Sequence, residues 1–381
     1  MIRVAHVIND LDRGGAEMVL LKLMVNRDAA RFEPLVISLS GDGVVADELA
    51  PAGVPVDSFR MGSALATPLA ISWIGRRLRR FRPAVVQTWM YQADLVGGLA
   101  ARMFTRAPVV WGLHATGFPA GRRSIEMRLG LPLARRLSSI VPTRIIACAE
   151  TARAFHVALG YDAARMMVIP NGFEIPESTR ERAGARKELG LPSGRFVVAR
   201  VGRDHPQKDQ ETLYRAMDLL ISAGNDVHLV VVGAGLGTSA AGDAEGRYPS
   251  LRGRTTFLGP RRDVSEVYGS ADLTVSSSAY GEALPLVIGE SMARGVPVVT
   301  TDVGDSGALI GDDDRVVPPK DPRALAAAVE RILRLNDDER EALGARDRRR
   351  VAERYSVDAM VRAYEGLYET LSRSPRRASA R

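Results

Sequence analysis

The chain has 381 residues, 46 % of them hydrophobic and 25 % charged, a composition that excludes disordered and fibrous classes and is long enough for two domains. No apolar run approaches membrane-spanning length, and a single cysteine, Cys148, excludes an internal disulfide and a cysteine metal site. The formal net charge of +7 is unevenly placed: residues 1–172 carry 21 Lys and Arg against 13 Asp and Glu, the remainder 31 against 32.

In chain order, β-branched runs predict strands at 2–8, 34–39, 54–57, 84–88, 108–112, 143–147 and 166–169. The first of these starts directly after Met1, which argues against a secretory signal and predicts a cytosolic protein. "NDLDRGGAE" (9–17) follows that strand, and amphipathic "AEMVLLKLMVN" (16–26) continues from it. Gly14 and Gly15 ahead of a helix fit either a tight turn or backbone amides that approach an anion. Basic clusters stand in "RRLRRFR" (76–82) and "GRRSIEMRLGLPLARRL" (121–137). They read as solvated helix faces or, from their concentration in one half, as contact with an anionic partner such as a membrane surface. His114, in "VVWGLHATGF", follows a strand and fits a structural histidine or a site residue. Cys148 is expected buried at a strand end with no chemical role.

A Pro/Gly-punctuated, charged stretch over 172–193 marks a break, after which strands are predicted at 195–202, 227–232, 255–258, 272–276 and 296–300. "VGRDHPQKDQETL" (201–213) sets Arg203 and Lys208 after the first of them, as a diphosphate clamp or as incidental loop charges. "VVGAGLG" (231–237) fails the dinucleotide-binding spacing and is read as a strand-to-loop turn running through "TSAAGDAEGRYPSLRGR". In "GEALPLVIGE" (281–290), Pro285 suits the first turn of a helix closing at Gly295. Glu282 then lies in the loop before the helix and Glu290 inside it, with the free amides near Leu286 and Val287 between them. Amides suit a diphosphate and carboxylates suit sugar or ribose hydroxyls, so the stretch describes a nucleotide sugar. "GDSG" (304–307) is read as a turn, and the five histidines show no metal-ligand spacing. Beyond 320 the chain is helical, with "SVDAMVRAYEGLYETL" (356–371) opening at a Ser356 N-cap.

Unalternated Val/Ile runs between helices, repeated on both sides of a break, predict an α/β protein of two doubly wound parallel-sheet domains facing a central cleft. The domains are placed at 1–172 and 173–355, with the helix 356–372 packing back onto the first and a disordered basic tail at 373–381. Ligands in such sheets bind beyond the carboxyl ends of the strands.

With "GGAE", "PNGF" (170–173), "GRDHPQKD" (202–209), "GEALPLVIGESMARGVPVVTTDVGDSG" (281–307) and the closing helix in order, the chain resembles the family 4 glycosyltransferases of GT-B fold over nearly its whole length. Glu282 and Glu290 match the E-x7-E signature of that family. "VVQTWMYQADLVGGLAAR" (85–102) is similar to the subgroup that builds bacterial surface polysaccharides and glycolipids. The resemblance implies a retaining transfer from a nucleoside diphosphate sugar to a hydroxyl of a glycan, glycolipid or small molecule, with no metal, cofactor or nucleic acid. Arg203 and Lys208 would then hold the leaving diphosphate, with Gly14, Gly15 and the Leu286 and Val287 amides around it. Glu290 would take the ribose, while Glu282 and His114 would flank the transferred sugar. Loops around 61–70, 88–94 and 113–122 would select the acceptor. The chain departs from the family at Ala283 and Leu284, where many members have Gly and Phe, and at Ala149, where many have Ser. A nucleotide-sugar epimerase or phosphorylase of the same fold, a natural-product glycosyltransferase and a non-catalytic sugar or nucleotide binder are the alternatives. A nicotinamide dehydrogenase is disfavoured by the glycine spacings.

Overall fold

The structure, a computed structural model, describes residues 1–373 apart from 13, 115, 117–124 and 178–181, and the side chains of 64 and 125–129 are likewise outside the description. The described residues divide into two compact units, Met1–Gly172 joined by Val357 onward, and Phe173–Ser356. The tail expected to be disordered lies, from residue 374, outside the described residues.

The first unit is a seven-stranded sheet of β1 (Ile2–Ile8), β2 (Phe32–Ser38), β3 (Val56–Ser58), β4 (Val85–Trp89), β5 (Val109–Leu113), β6 (Arg144–Ala147) and β7 (Met166–Val168). Their order is β3-β2-β1-β4-β5-β6-β7 and every pair is parallel. β4 and β5 are buried at every residue, as strands with helices on both faces must be. Alternation along β1 explains the layering. Val4 and Ile8 pack with the helices Gly15–Val25 and Val357–Arg373, whereas Ala5 and Val7 pack under Thr67–Phe81 and Tyr91–Phe104. The Val357–Arg373 helix is thus a layer of the first unit, tied down by an Asp28 amide donating to Glu365 Oε1 at 2.8 Å and by an Arg31–Glu369 ion pair. Cys148 is buried directly after β6.

The second unit is a six-stranded parallel sheet, β8 (Phe196–Val201), β9 (Val227–Val232), β10 (Thr255–Gly259), β11 (Leu273–Ser276), β12 (Val298–Thr301) and β13 (Val316–Val317), in the order β10-β9-β8-β11-β12-β13. β13 is too short to leave a periodic signal and was not expected from the sequence. The loop reading of the stretch after "VVGAGLG" is corrected: a helix, Thr238–Arg247, follows at once, with Gly237 as an extended N-cap. Its glycines and polar residues hide the helix in the sequence, but Ala244 is buried in the core and holds it to the sheet.

Both sheets reverse direction of winding at their centres, between β1 and β4 and between β8 and β11. At such a point the helices leaving neighbouring strands diverge to opposite faces and open a crevice at the carboxyl ends. Among the described residues no helix is long and apolar enough to cross a membrane.

The ends of β8 and β9 approach so closely that a Cβ on Gly233 would strike the Gly202 carbonyl, and Gly233 itself has a φ of +154°. Gly233→Ala is therefore expected to cost about 2–4 kcal/mol, clash and backbone strain together. Urea unfolding followed by circular dichroism checks this as a lowered midpoint.

Candidate functional site

In the second unit two loops leave the carboxyl ends of adjacent strands β8 and β11 and are stitched to each other. Ser277 Oγ donates to the Lys208 carbonyl at 2.9 Å and the Asp209 carbonyl at 3.0 Å, and the Ala279 amide donates to the Gln207 carbonyl at 2.8 Å. This stitching points Lys208 across the gap. Its Nζ lies 2.6 Å from Glu282 Oε1, with the two side chains only 22 % and 10 % exposed. Ser278 Oγ donates to the same oxygen at 2.8 Å. Glu282 is held from behind as well. A Cβ on Gly304 would meet the Glu282 and Ala283 carbonyls, and the Asp305 amide donates to the Ala283 carbonyl at 2.7 Å. The "GDSG" segment therefore buttresses the Glu282 loop, and Ser306 Oγ is spent on the Val303 carbonyl at 2.6 Å.

Arg203 lies exposed in the same loop, five positions before Lys208. Its backbone is set by a residue the sequence reading passed over: Arg200, buried in β8, donates to the Gly202 and Arg203 carbonyls. Burial lowers the Arg200 pKa to about 10, which leaves it charged at neutral pH. Asp209 adopts a left-handed φ of +43° and caps the helix Gln210–Ser222 through the Thr212 amide, which ends the loop sharply.

The helix after Glu282 is Leu286–Ala293, one residue later than expected. Pro285 is its N-cap, at φ −63° and ψ 117°, and Arg294 its C-cap, ahead of Gly295 at φ +75°. The amides of Leu286 and Val287 are thus the first two of the helix, with no carbonyl of a preceding turn to receive them. Glu290 accepts from the Tyr268 hydroxyl at 3.0 Å. Burial first, and the Glu290 charge second, raise the Tyr268 pKa well above its usual value, so the phenol stays a donor.

In the first unit the switch point carries Gly14 and Gly15 after β1, Trp89 at the end of β4 and His114 directly after β5. Gly14 is the extended N-cap of Gly15–Val25. The Glu17 carboxylate folds over it, so that a Cβ on Gly14 would strike Glu17 Oε2. Burial, with further contributions from Asp10 and Asp12, raises the Glu17 pKa from 4.5 to about 7. His114 stacks on Trp89, and burial lowers its pKa to about 4, with Asn171 opposing. Neither His114 ring nitrogen nor Asn171 Oδ1 has a hydrogen bond of proper geometry among the described residues.

Structure thus brings Lys208, Glu282 and the Leu286–Val287 helix start to one switch point, and Gly14, Gly15 and His114 to the other. Ser278, Tyr268, Arg200 and Glu17 were not singled out from the sequence. The Ser277–Ser278 pair, polar residues directly after a buried strand, was a signal available for the first of them. Ala149 is the N-cap of Glu150–Ala158 and offers no side-chain hydrogen bond, as the replacement of a serine requires. Residues 117–122 of the expected acceptor loops lie outside the described residues.

Residues 13–175 match the family described as Glycosyltransferase Family 4, and residues 195–335 match Glycosyl transferases group 1. The chain belongs to the family 4 glycosyltransferases, with the GT-B fold. It is 33 % identical over 251 residues to D-inositol 3-phosphate glycosyltransferase of Thermomonospora curvata, 59 % of this chain and 57 % of that one. The chain thus spans little more than half the length of that relative. It is 28 % identical over 344 residues to phosphatidyl-myo-inositol mannosyltransferase of Mycobacterium leprae, covering 86 % of this chain and 88 % of that one. Among solved structures, Anabaena HepE in complex with UDP has a TM-score of 0.82 at 23 % identity, covering 97 % of this chain and 100 % of the other, a likeness of fold. The same protein has also been solved with UDP-glucose.

Glu17 gives the first unit a pH signature. Its carboxyl binds a proton more tightly in the folded unit than in the unfolded chain, so its contribution to stability is complete below pH 4.5 and is lost as pH rises through about 7. Glu17→Gln should melt above the wild-type protein at pH 8 and close to it at pH 4.5, as read by differential scanning calorimetry of the two proteins.

Proposed function

We propose that this protein is a retaining glycosyltransferase that moves a sugar from a nucleoside diphosphate sugar to a hydroxyl acceptor in surface polysaccharide or glycolipid synthesis. The observation that carries the proposal is the Lys208–Glu282 pair, 2.6 Å apart, beside the start of the Leu286–Ala293 helix at the β8/β11 switch point. Cation and carboxylate meet there, and the helix start follows Glu282 in the chain. The amides and Lys208 meet the negative charge that develops on the diphosphate as the glycosidic bond breaks, and Arg203 adds a forked donor. Glu290 takes the ribose hydroxyls, and Glu282 lies beside the transferred sugar. In the first unit, Gly14 and Gly15 approach phosphate and His114 orients the sugar.

A neutral imidazole suits a hydroxylated ring, which can donate to one nitrogen and accept from the other. The leaving phosphate takes the acceptor proton on the face it departs from, which keeps the anomeric configuration. Positive side chains do the work a divalent ion would do, so no metal is required. Relatives named for inositol phosphate and phosphatidylinositol glycosylation support a polar or lipid-linked acceptor, and UDP-bound neighbours of the same fold support a nucleotide donor.

Peripheral contact with an anionic membrane belongs to the same proposal. The helices Thr67–Phe81, Tyr91–Phe104 and Ile125–Leu137 end in Arg79 and Arg80, Arg102, and Arg135 and Arg136. Met103 and Ile140 beside those ends are exposed. Arginines interleaved with apolar side chains fit a headgroup layer over acyl chains.

UDP-, GDP- and ADP-sugars screened by thermal shift should yield one that raises the melting temperature. With that donor saturating, Lys208→Ala should lower kcat by about 100-fold or more, read as release of the nucleoside diphosphate. Near-normal turnover would overturn the assignment, and an unchanged wild-type rate in EDTA is the expected result for metal independence.

A further inference from the structure

Trp89 ends β4 at the switch point of the first unit and is fully buried. Its indole takes part in two near-parallel contacts. The His114 imidazole lies 5.2 Å away at 20° between planes, and the Tyr364 phenol lies 5.8 Å away at 25°. Tyr364 is itself fully buried and comes from Val357–Arg373, the helix by which the end of the chain returns to the first unit. The indole is also fixed in its own plane, because Nε1 donates to His6 Nδ1 at 3.3 Å. His6 is kept an acceptor by burial and by the Arg27 charge, which lower its pKa to about 3. The edge of Tyr368, on the same returning helix, closes on His6 at 6.0 Å and 73°.

A histidine is usually oriented by a hydrogen bond to one ring nitrogen, which consumes that nitrogen. The torsion that turns the imidazole plane is broad and does not set an angle by itself. Here Asn171 lies beside the His114 ring, but no hydrogen bond of proper geometry fixes either nitrogen among the described residues, and the indole lies against the ring face. We propose that Trp89 and Tyr364 are positioning residues for His114: the returning helix braces the indole, and the indole holds the imidazole by its face. The inference rests on the reading above that His114 orients the donor sugar. It also gives the return of the chain to the first unit a function beyond covering β1, since Trp89 in β4 is supported by a helix encoded more than 260 positions later in the sequence.

The test compares Trp89→Leu, Trp89→Phe, Tyr364→Leu and His114→Ala in the full chain, using the donor selected by the thermal-shift panel. Trp89→Leu should lower kcat by about tenfold or more with donor KM within about twofold, because a misaligned group costs the reacting geometry more than ground-state binding. Trp89→Phe keeps a flat ring and should restore most of kcat. Tyr364→Leu should give a smaller loss of the same kind, and serves alone if Trp89→Leu does not fold. The imidazole C–H proton resonances of His114, assigned through His114→Ala, should move downfield when the indole is removed and its ring current lost. This readout needs no turnover. A folded Trp89→Leu with unchanged kcat, a Phe variant as impaired as the Leu variant, or unmoved resonances would each overturn the proposal. If His114→Ala turns over normally while the resonances still move, the role given to His114 falls and the stack is structural alone.

Discussion

The ion pair between Lys208 and Glu282 is the constraint on which the rest of the second unit's site depends. It joins loops that leave neighbouring strands β8 and β11, and each loop is held in place before the charges meet. Ser277 and Ala279 hold one to the other, while Gly304 and Asp305 hold the Glu282 backbone from behind. With both side chains mostly buried, the cost of removing two charges from water offsets much of their attraction, so the pair adds little to stability. Its placement is better explained by chemistry. Under the proposed function, Lys208 is the ammonium that receives the anion at this switch point.

The first unit solves a similar problem with uncharged groups. Glu17 folds over Gly14 after β1, where burial favours its protonated form. His114 and His6 are held neutral by burial, and Asp94 after β4 is pushed well above the usual carboxylate range for the same reason. Burial thus disfavours the charged forms of Glu17, His6, His114 and Asp94 in the first unit. The two sheets share a winding pattern but divide the electrostatics between them.

Legibility followed the strength of the local signal. The twelve strands predicted are those of the two sheets, because continuous Val/Ile runs such as those of β4 and β9 suit only a strand buried on both faces. β13, with two residues, leaves no pattern to read. The Thr238–Arg247 helix was obscured by Gly242 and Gly246, whose low helical propensity is outweighed by the burial of Ala244. In the site, Arg203, Lys208, Glu282 and Glu290 stood out because charge directly beyond a buried strand is conspicuous. Arg200 did not, since a cation within a strand gives no hint that it will turn back to bond the carbonyls of its own loop.

The sequence by itself determined the two-fold repetition of strand and helix, the ends of strands at which chemistry had to be sought, and the residue types placed there. Those features are local, written in hydrophobic period and in the punctuation of glycine and proline. Tertiary structure alone decided which of these residues meet. Lys208 reaches Glu282 across 74 positions, and Tyr364 supports Trp89 from the far end of the chain. Such meetings depend on strand order and on the direction each loop takes out of a packed core, quantities that no short window of residues contains.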